Sequence, residues 1–259
     1  VRGDVRVMDI MVPLFTKADV VIPLAALVGA PICDRDPVTA TSVNLNAIVE
    51  LLRHASKDQA VLIPITNSGY GVGEPGKYCT EESPLRPVSR YGRDKVELER
   101  IIMDRGNAIS FRLATVFGMS PRMRIDLLVN DFTYRAFTDG CIVLFESHMK
   151  RNYIHVRDVA RAFIHGLREF DGLRDSVYNV GLSDANLSKL ELCERIRRQI
   201  LNLTILDAPT GSDPDKRDYI VSNAKIEATG YQPAYSLDDG ISELIKGYTM
   251  IRNTRYGNV

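Results

Sequence analysis

No charge of either sign is in excess: Lys+Arg and Asp+Glu number 33 each in 259 residues. Without a net field, bulk composition draws the chain neither to nucleic acid nor to an anionic membrane, so an anionic ligand would need a local cluster of arginines. Cysteine is sparse. Cys33, Cys79, Cys141 and Cys193 lie far apart, with no Cys-x-x-Cys pair, in a chain too long to need stapling; a reduced cytoplasm is the expected home. No apolar run approaches the ~20 residues of a membrane span, and Val1-Arg-Gly-Asp4 has neither signal-peptide nor transit-peptide character. Repeats and low-complexity tracts are absent as well. His54, His148 and His165 have no ligand-spaced partners, so no metal is expected.

What is present is an ordinary globular mixture, 45% hydrophobic and 25% charged, enough for one large core or two smaller ones. Asp19 to Leu24 and Ala60 to Ile65 are short apolar runs rich in β-branched residues, the pattern of strands covered on both faces. Between them Val38 to His54 has helical spacing after Pro37. A second helix is expected from about Ser89 to Arg105, stopped by Gly106, followed by a strand at Ala108 to Leu113. Further on, the pattern gives a strand at Ile142 to Phe145, a helix at Asp158 to Phe170 and a strand at Val177 to Val180. Ser188-Lys-Leu-Glu191 opens a helix to about Ile200 as a capping box, and Leu237 to Met250 reads as the last helix. The alternation predicts an α/β, doubly wound parallel sheet, with ligands beyond the carboxyl ends of its strands, just after Leu24, Ile65 and Leu113.

Such a sheet, when it binds a dinucleotide, ordinarily begins with a strand, a glycine-rich turn and a helix whose N-terminus holds the pyrophosphate. The one literal Gly-x-Gly-x-x-Gly, at Gly71, Gly73 and Gly76, does not qualify. Glu74 would set a charge against phosphate and no helix pattern follows Gly76, so the segment reads as a flexible loop on the substrate side. The chain opens instead at Gly3-Asp4-Val5, which has the look of the end of a later strand. A βαβ unit of roughly 50 to 60 residues is therefore expected ahead of Val1.

Tyr91-Gly-Arg-Asp-Lys95 lies on the second helix, where a spacing of four puts both side chains on one face, about 5–6 Å apart at Cβ. An ammonium so placed favours the phenolate and lowers a tyrosine pKa from about 10 toward working pH, making the phenol a general base or acid. Alone, two amphipathic residues one turn apart can simply cover a core edge. Upstream, Ile65-Thr-Asn-Ser-Gly-Tyr-Gly71 closes a buried strand with small hydroxyl residues. Thr66 there can share a substrate oxygen with Tyr91, or can serve as a turn or helix cap. His155, in the apolar stretch Tyr153 to Val156, reads as a hydrogen-bonded structural histidine, and Arg195-Ile-Arg-Arg198 as a solvated helix face.

Leu24-Ala25-Ala26, Thr66 to Gly71, Tyr91-x-x-x-Lys95 and Arg151-Asn-Tyr-Ile-His-Val-Arg-Asp158 together resemble the extended short-chain dehydrogenase/reductases, the NAD-dependent nucleotide-sugar epimerases and dehydratases. The resemblance runs over the whole chain. Within that family, Ile22 to Pro31, Phe111 to Met119, Arg122 to Arg124 and Asp213 to Asn223 are most similar to bacterial GDP-heptose 4-dehydrogenases. The resemblance implies a Rossmann-like NAD-binding domain over 1–118 and about 156–181, and a smaller mixed α/β substrate domain over about 119–155 and 182–259. It implies Tyr91, Lys95 and Thr66 as the catalytic residues. Asp4 and Val5 would lie on the adenine, Leu24, Ala25, Ala26 and Val28 along ribose and diphosphate, Asn44 near the nicotinamide, and Lys95 on the nicotinamide ribose. Ala114 and Thr115 stand where many relatives have an aromatic residue and asparagine, a departure at the cofactor and substrate contacts respectively. Ser68 would face the sugar. Arg151 and Arg217, with Arg124 as a third candidate, match positions that bind the nucleotide diphosphate, a task suited to the guanidinium fork. A homodimer packed through the Val38–His54 and Ser89–Arg105 helices is also implied, with no nucleic-acid partner.

The resemblance also frames the reaction. Dehydratases carry an Asp-Glu pair immediately after the catalytic threonine, and here those positions are Asn67 and Ser68, so dehydration is disfavoured. The expected activity is oxidation of carbon 4 of a nucleotide-activated sugar, GDP-heptose-like, toward surface polysaccharide. A 4-epimerase is the alternative, since it needs no further acid or base. A non-enzymatic NAD-sensing or scaffold protein is the reading from another class, and an intact Tyr91, Lys95 and Thr66 argue against it.

Overall fold

The computed structural model describes residues 1–211 and 216–251. Its strands, in chain order, are β1 (Val20–Val21), β2 (Ala60–Thr66), β3 (Tyr78–Cys79), β4 (Ala108–Leu113), β5 (Thr115–Phe117), β6 (Cys141–Leu144), β7 (Lys150–His155), β8 (Ser176–Val180), β9 (Asn186–Ser188), β10 (Thr204–Asp207) and β11 (Ile220–Val221). The chain forms two compact units, one of Val1–Gly71, Glu81–Arg112 and Phe163–Tyr178, the other of Val72–Thr80, Leu113–Ala162 and Asn179–Val259.

The first unit is built on a four-stranded sheet of order β1-β2-β4-β8. β1 and β2 run parallel, Val20 opposite Ala60 and Val21 opposite Val61. The period-two geometry of a strand explains why β2 is apolar throughout. Val61, Ile63 and Ile65 pack with Ile48, Leu51, Leu98 and Ile102 of two helices on one face. On the other face, Leu62 and the Phe111 ring pack against Gly166, where a Cβ would stand 2.7 Å from the Phe111 side chain. Helices thus cover both faces, the expected parallel α/β arrangement of Rossmann type. The helix Arg90–Arg105 starts at Ser89, whose hydroxyl accepts from the Gly92 amide at 3.1 Å, and stops at Gly106 with φ +78°.

Other elements depart from expectation. The helix expected from Val38 to His54 forms as two α-helical pieces, Pro37–Thr41 and Ala47–Arg53, joined by a π-helical turn at Ser42–Asn46. β1 is short because Pro23, lacking an N–H, cannot continue the ladder. The strand end expected at Gly3 to Val5 is not formed: Asp4 accepts from the Arg6 backbone amide at 2.9 Å and its guanidinium at 2.6 Å, turning the chain into a helix at Met8–Phe15. That helix buries Phe15, and its Met8-Met11-Phe15 spacing is the signal for it.

The second unit has small sheets around one core. β5 and β7 pair in parallel and β7 and β9 antiparallel, while β6 pairs with β10 and β3 with β11. Val129, Ile142, Tyr153, Leu192, Ile241 and Leu244 form the centre of the core. Asp158 is fully buried, and its carboxylate accepts from the amides of Ala234 and Tyr235 at 2.8 and 2.9 Å, fixing the approach to the last helix, Leu237–Ile251. The capping box is present at Ser188 and Glu191, and its helix runs Lys189–Arg197. Arg195 is not simply solvated, since it pairs with Asp238 at 2.5 Å. His155 is buried, with Nδ1 accepting from the Arg157 amide at 3.2 Å and Nε2 standing 3.3 Å from Glu243, as a structural histidine should be. Among the described residues no helix is long and apolar enough to cross a membrane.

Candidate active site

β2 ends at Thr66, and the chain turns at once through a single 3₁₀ turn, Asn67–Tyr70. Thr66 caps that turn: its Oγ1 accepts from the Ser68 amide at 3.1 Å and lies 2.9 Å from the Ser68 hydroxyl. A hydroxyl has two acceptor sites and one proton. The bond between the two hydroxyls can run in either direction, and when Ser68 donates the Thr66 proton is left for another acceptor, so capping and substrate contact are compatible uses of one side chain. Asn67 is buried, and its side-chain amide has no hydrogen-bond partner among the described residues. Gly71 has φ +67°, and a Cβ there would stand only 2.0 Å from the Arg86 carbonyl oxygen, so this exit from the turn requires glycine.

The helix Arg90–Arg105 brings its first turns to the end of β2. Lys95 is buried, and its ammonium donates to the Pro64 carbonyl at 3.0 Å, two residues before Thr66. Burial pulls its pKa from 10.5 down to about 8. Gly92 packs closely there, since a Cβ at that position would stand 3.0 Å from the Pro87 side chain and 3.4 Å from the Ser68 carbonyl. Tyr91, partly exposed, lies one turn before Lys95 on the same helix face. The structure therefore assembles Thr66, Ser68 and Lys95, with Tyr91 beside them on the helix, in one unit at the carboxyl end of β2.

The neighbouring loop, after β1, carries the expected cofactor residues. Leu24, Ala25 and Val28 are exposed, Leu24 to 68%. Asn44, fully buried in the π-helical turn, clamps the loop: its Oδ1 accepts from the Leu27 amide and its Nδ2 donates to the Leu27 carbonyl, both at 2.8 Å. Asp4 is exposed and engaged by Arg6, which holds its carboxyl at about 2, and Val5 is half-buried. A loop with open apolar side chains, held from below, beside an ammonium with three donors of which Pro64 takes one, fits a dinucleotide's ribose and nicotinamide.

The arginine candidates belong to the second unit. Arg151 is buried, donates to the Lys150 carbonyl at 2.8 Å and lies over the Tyr219 ring at 5.7 Å. Tyr219 donates from its amide to the Lys150 carbonyl at 3.3 Å, so the segment carrying Arg217 runs beside Arg151. Arg124 makes a two-bond pair with Asp126, at 2.8 and 2.7 Å. Ala114 donates to the Val180 carbonyl and is buried, and Thr115 opens β5 opposite Tyr153. Of the Asp213 to Asn223 segment, residues 213–215 lie outside the described residues. The Gly71 to Gly76 loop is not a free flap, because Gly73 donates to the Asp218 carbonyl at 2.8 Å and β3 pairs with β11. Among the described residues no group of three or more His, Cys, Asp or Glu could hold a metal ion.

A family model described as the NAD dependent epimerase/dehydratase family matches residues 1–181. The chain belongs to this family. The low-salt glycan biosynthesis protein Agl12 of Haloferax volcanii is 26% identical over 259 residues, covering 96% of this chain and 81% of that protein. A UDP-glucose 4-epimerase of Lactobacillus helveticus is 25% identical over 256 residues, covering 87% and 76%. Among solved structures, the UDP-glucuronic acid 4-epimerase of Bacillus cereus, in complex with UDP-glucuronic acid and NAD, superposes with a TM-score of 0.84 at 21% identity, covering 97% of this chain and 81% of that one. The protein is thus an enzyme of the NAD-dependent epimerase/dehydratase type.

Sequence reasoning missed several residues of this neighbourhood. Asp94 accepts from the Thr41 hydroxyl at 2.8 Å and joins two helices, and Glu99, Arg112 and Tyr70 form a buried polar network. Glu99 carried a signal, since positions 91, 95 and 99 share a helix face.

Proposed function

We propose that this enzyme oxidises the carbon-4 hydroxyl of a nucleotide-activated sugar, with Tyr91 as general base, Thr66 sharing the substrate oxygen and Lys95 favouring the phenolate. The single supporting observation is the placement of the buried Lys95 ammonium 3.0 Å from the Pro64 carbonyl, at the strand end that carries Thr66. NAD, when bound, would supply the hydride acceptor, and loss of the proton from the hydroxyl oxygen and of a hydride from carbon 4 would leave a ketone. Tyr91 takes the hydroxyl proton. Thr66 donates to the same oxygen while the Ser68 amide holds its acceptor side. Neither Asn67 nor Ser68 can act as the acid or base that elimination of water requires, which favours a reaction that stops at oxidation or returns the hydride.

The cofactor contacts are assigned to Asp4, Val5, Leu24, Ala25, Ala26, Val28, Asn44, Tyr91, Lys95 and Ala114, and the substrate contacts to Thr66, Ser68 and Thr115. Arg151 and Arg217 are assigned to the diphosphate, with Arg124 third because Asp126 already occupies its fork. The NAD-binding role belongs to 1–118 and about 156–181, the substrate role to about 119–155 and 182–259. A GDP-heptose-like substrate, a cytoplasmic setting and a homodimer complete the reading. The second reading is a 4-epimerase, favoured by the likeness to the epimerases named above.

Incubation of the purified protein and NAD with GDP- and UDP-sugars, following NADH absorbance and product mass, separates the possibilities. Loss of two mass units with NADH formation supports oxidation. Unchanged mass with altered stereochemistry replaces it with epimerisation, and loss of eighteen units overturns the argument from Asn67 and Ser68.

A further inference from the structure

The turn that carries Thr66 is held by more than its own cap. Tyr70, the last residue of that turn, is buried, and its hydroxyl accepts from Arg112 at 3.0 Å. The same guanidinium nitrogen donates to the Glu81 carbonyl at 3.1 Å. On the other side of the guanidinium, Nε and the second nitrogen donate to the Glu99 carboxylate at 3.1 and 2.6 Å, and the Ser110 hydroxyl adds a third donor at 2.7 Å. Glu99 lies on the helix one turn beyond Lys95 and two beyond Tyr91. One guanidinium therefore joins β4, the Tyr91–Lys95 helix and the Thr66 turn, and all of these bonds lie within the first unit.

A buried ion pair is a poor source of stability, because desolvation cancels most of its attraction and apolar residues of equal volume often serve as well. What apolar residues cannot do is fix direction. Arg112 is 5% exposed and donates from two edges of its planar guanidinium, to Tyr70 and Glu81 from one and to Glu99 from the other, so a shift of the Thr66 turn relative to the helix must break or bend one of these bonds.

We propose that Arg112 is a positioning residue for the reaction: held by Glu99, it tethers the Tyr70 hydroxyl and so sets the distance of the Thr66 turn from Tyr91 and Lys95. This rests on the catalytic reading given above. The test is Tyr70→Phe, which removes one phenolic oxygen and leaves the Glu99–Arg112 pair whole. The expected result is a fall in kcat of about tenfold to a hundredfold, of the order that small misplacements produce. The KM for the nucleotide sugar stays within about twofold and the Tm within a few degrees, while amide exchange across residues 66–71 becomes faster. A Glu99→Met, Arg112→Met double variant, which replaces the pair by apolar residues of similar length, is expected to fold and to show the same fall in kcat and the same faster exchange. Unchanged exchange at residues 66–71 in Tyr70→Phe overturns the tether. A kcat equal to that of the unaltered protein, or a change carried wholly by Tm, overturns the positioning role. If the unaltered protein turns over no nucleotide sugar while exchange still responds, the tether stands and the catalytic reading falls.

Discussion

Two loops leave the carboxyl ends of adjacent parallel strands, and they are built in opposite ways. The turn after β2 is buried and cross-braced, with Thr66 capped on Ser68, Tyr70 bonded to Arg112 and Gly71 pressed against the Arg86 carbonyl. The loop after β1 is open, its apolar side chains facing water, and one asparagine amide grips it at Leu27. Groups that move protons must be placed to within fractions of an ångström, whereas a loop that receives a broad cofactor needs exposure and a firm anchor. Rigidity is thus concentrated where chemistry is proposed, and accessibility where binding is.

The comparison can be broken most severely at the helix facing the braced turn. Tyr91→Phe should lower kcat by about 10³- to 10⁴-fold with NAD still bound, as loss of a general base does, measured by NADH formation beside cofactor titration. Retained turnover would remove the proton-handling role from this region altogether. Thr66→Val should cost about a hundredfold in kcat and about 1 kcal/mol of stability through the lost cap, while Thr66→Ser recovers most of both; activity and thermal melts on the pair of variants read this.

Lys95 sharpens the contrast through pH. Its folded value is about 8 against 10.5 unfolded, so between these two the unfolded chain binds more protons and this group makes stability rise with pH. Below pH 8 the buried ammonium is a cost of about 3 kcal/mol. Denaturant melts of Lys95→Met should lack this rise, and the difference from the unaltered protein should develop across pH 8 to 10.5. The smallest effect belongs to the open loop. Asn44→Ala removes its two neutral hydrogen bonds to Leu27, worth about 1 kcal/mol each, and a weaker one to the Cys33 sulfur, so NAD affinity should weaken about tenfold while kcat at saturating cofactor stays near its original value. Calorimetric titration with NAD checks this, and an unchanged affinity would separate the loop from the cofactor.

Local patterns made much of the first unit legible. Ser89 and Gly106 bracket their helix because a cap and a positive-φ stop are short-range devices, and β2 announced itself because burial on both faces makes it apolar without interruption. The four-residue spacing of Tyr91 and Lys95 is likewise local. Tertiary partners were not legible. Arg112 meets Tyr70 across 42 positions and Glu99 across 13, Asn44 meets Leu27 across 17, and no periodicity encodes such pairings. Gly3 to Val5 had the look of a strand end, but the Asp4–Arg6 pairing turned the chain instead. Pro23 ended β1 where hydrophobicity alone would have carried it to Leu24. The π-helical turn was invisible because it keeps the composition of an ordinary helix.

That π-helical turn acts as a register setting. Deleting one residue from Ser42–Asn46 would restore regular winding and leave the two flanking pieces facing nearly as before, since the wide turn absorbs the extra residue, but it would shift the turn's own side chains, Asn44 among them, by one position. Asn44 would then swing from beneath the loop, and Leu24 to Val28 would lose their anchor although every residue of the loop itself was intact.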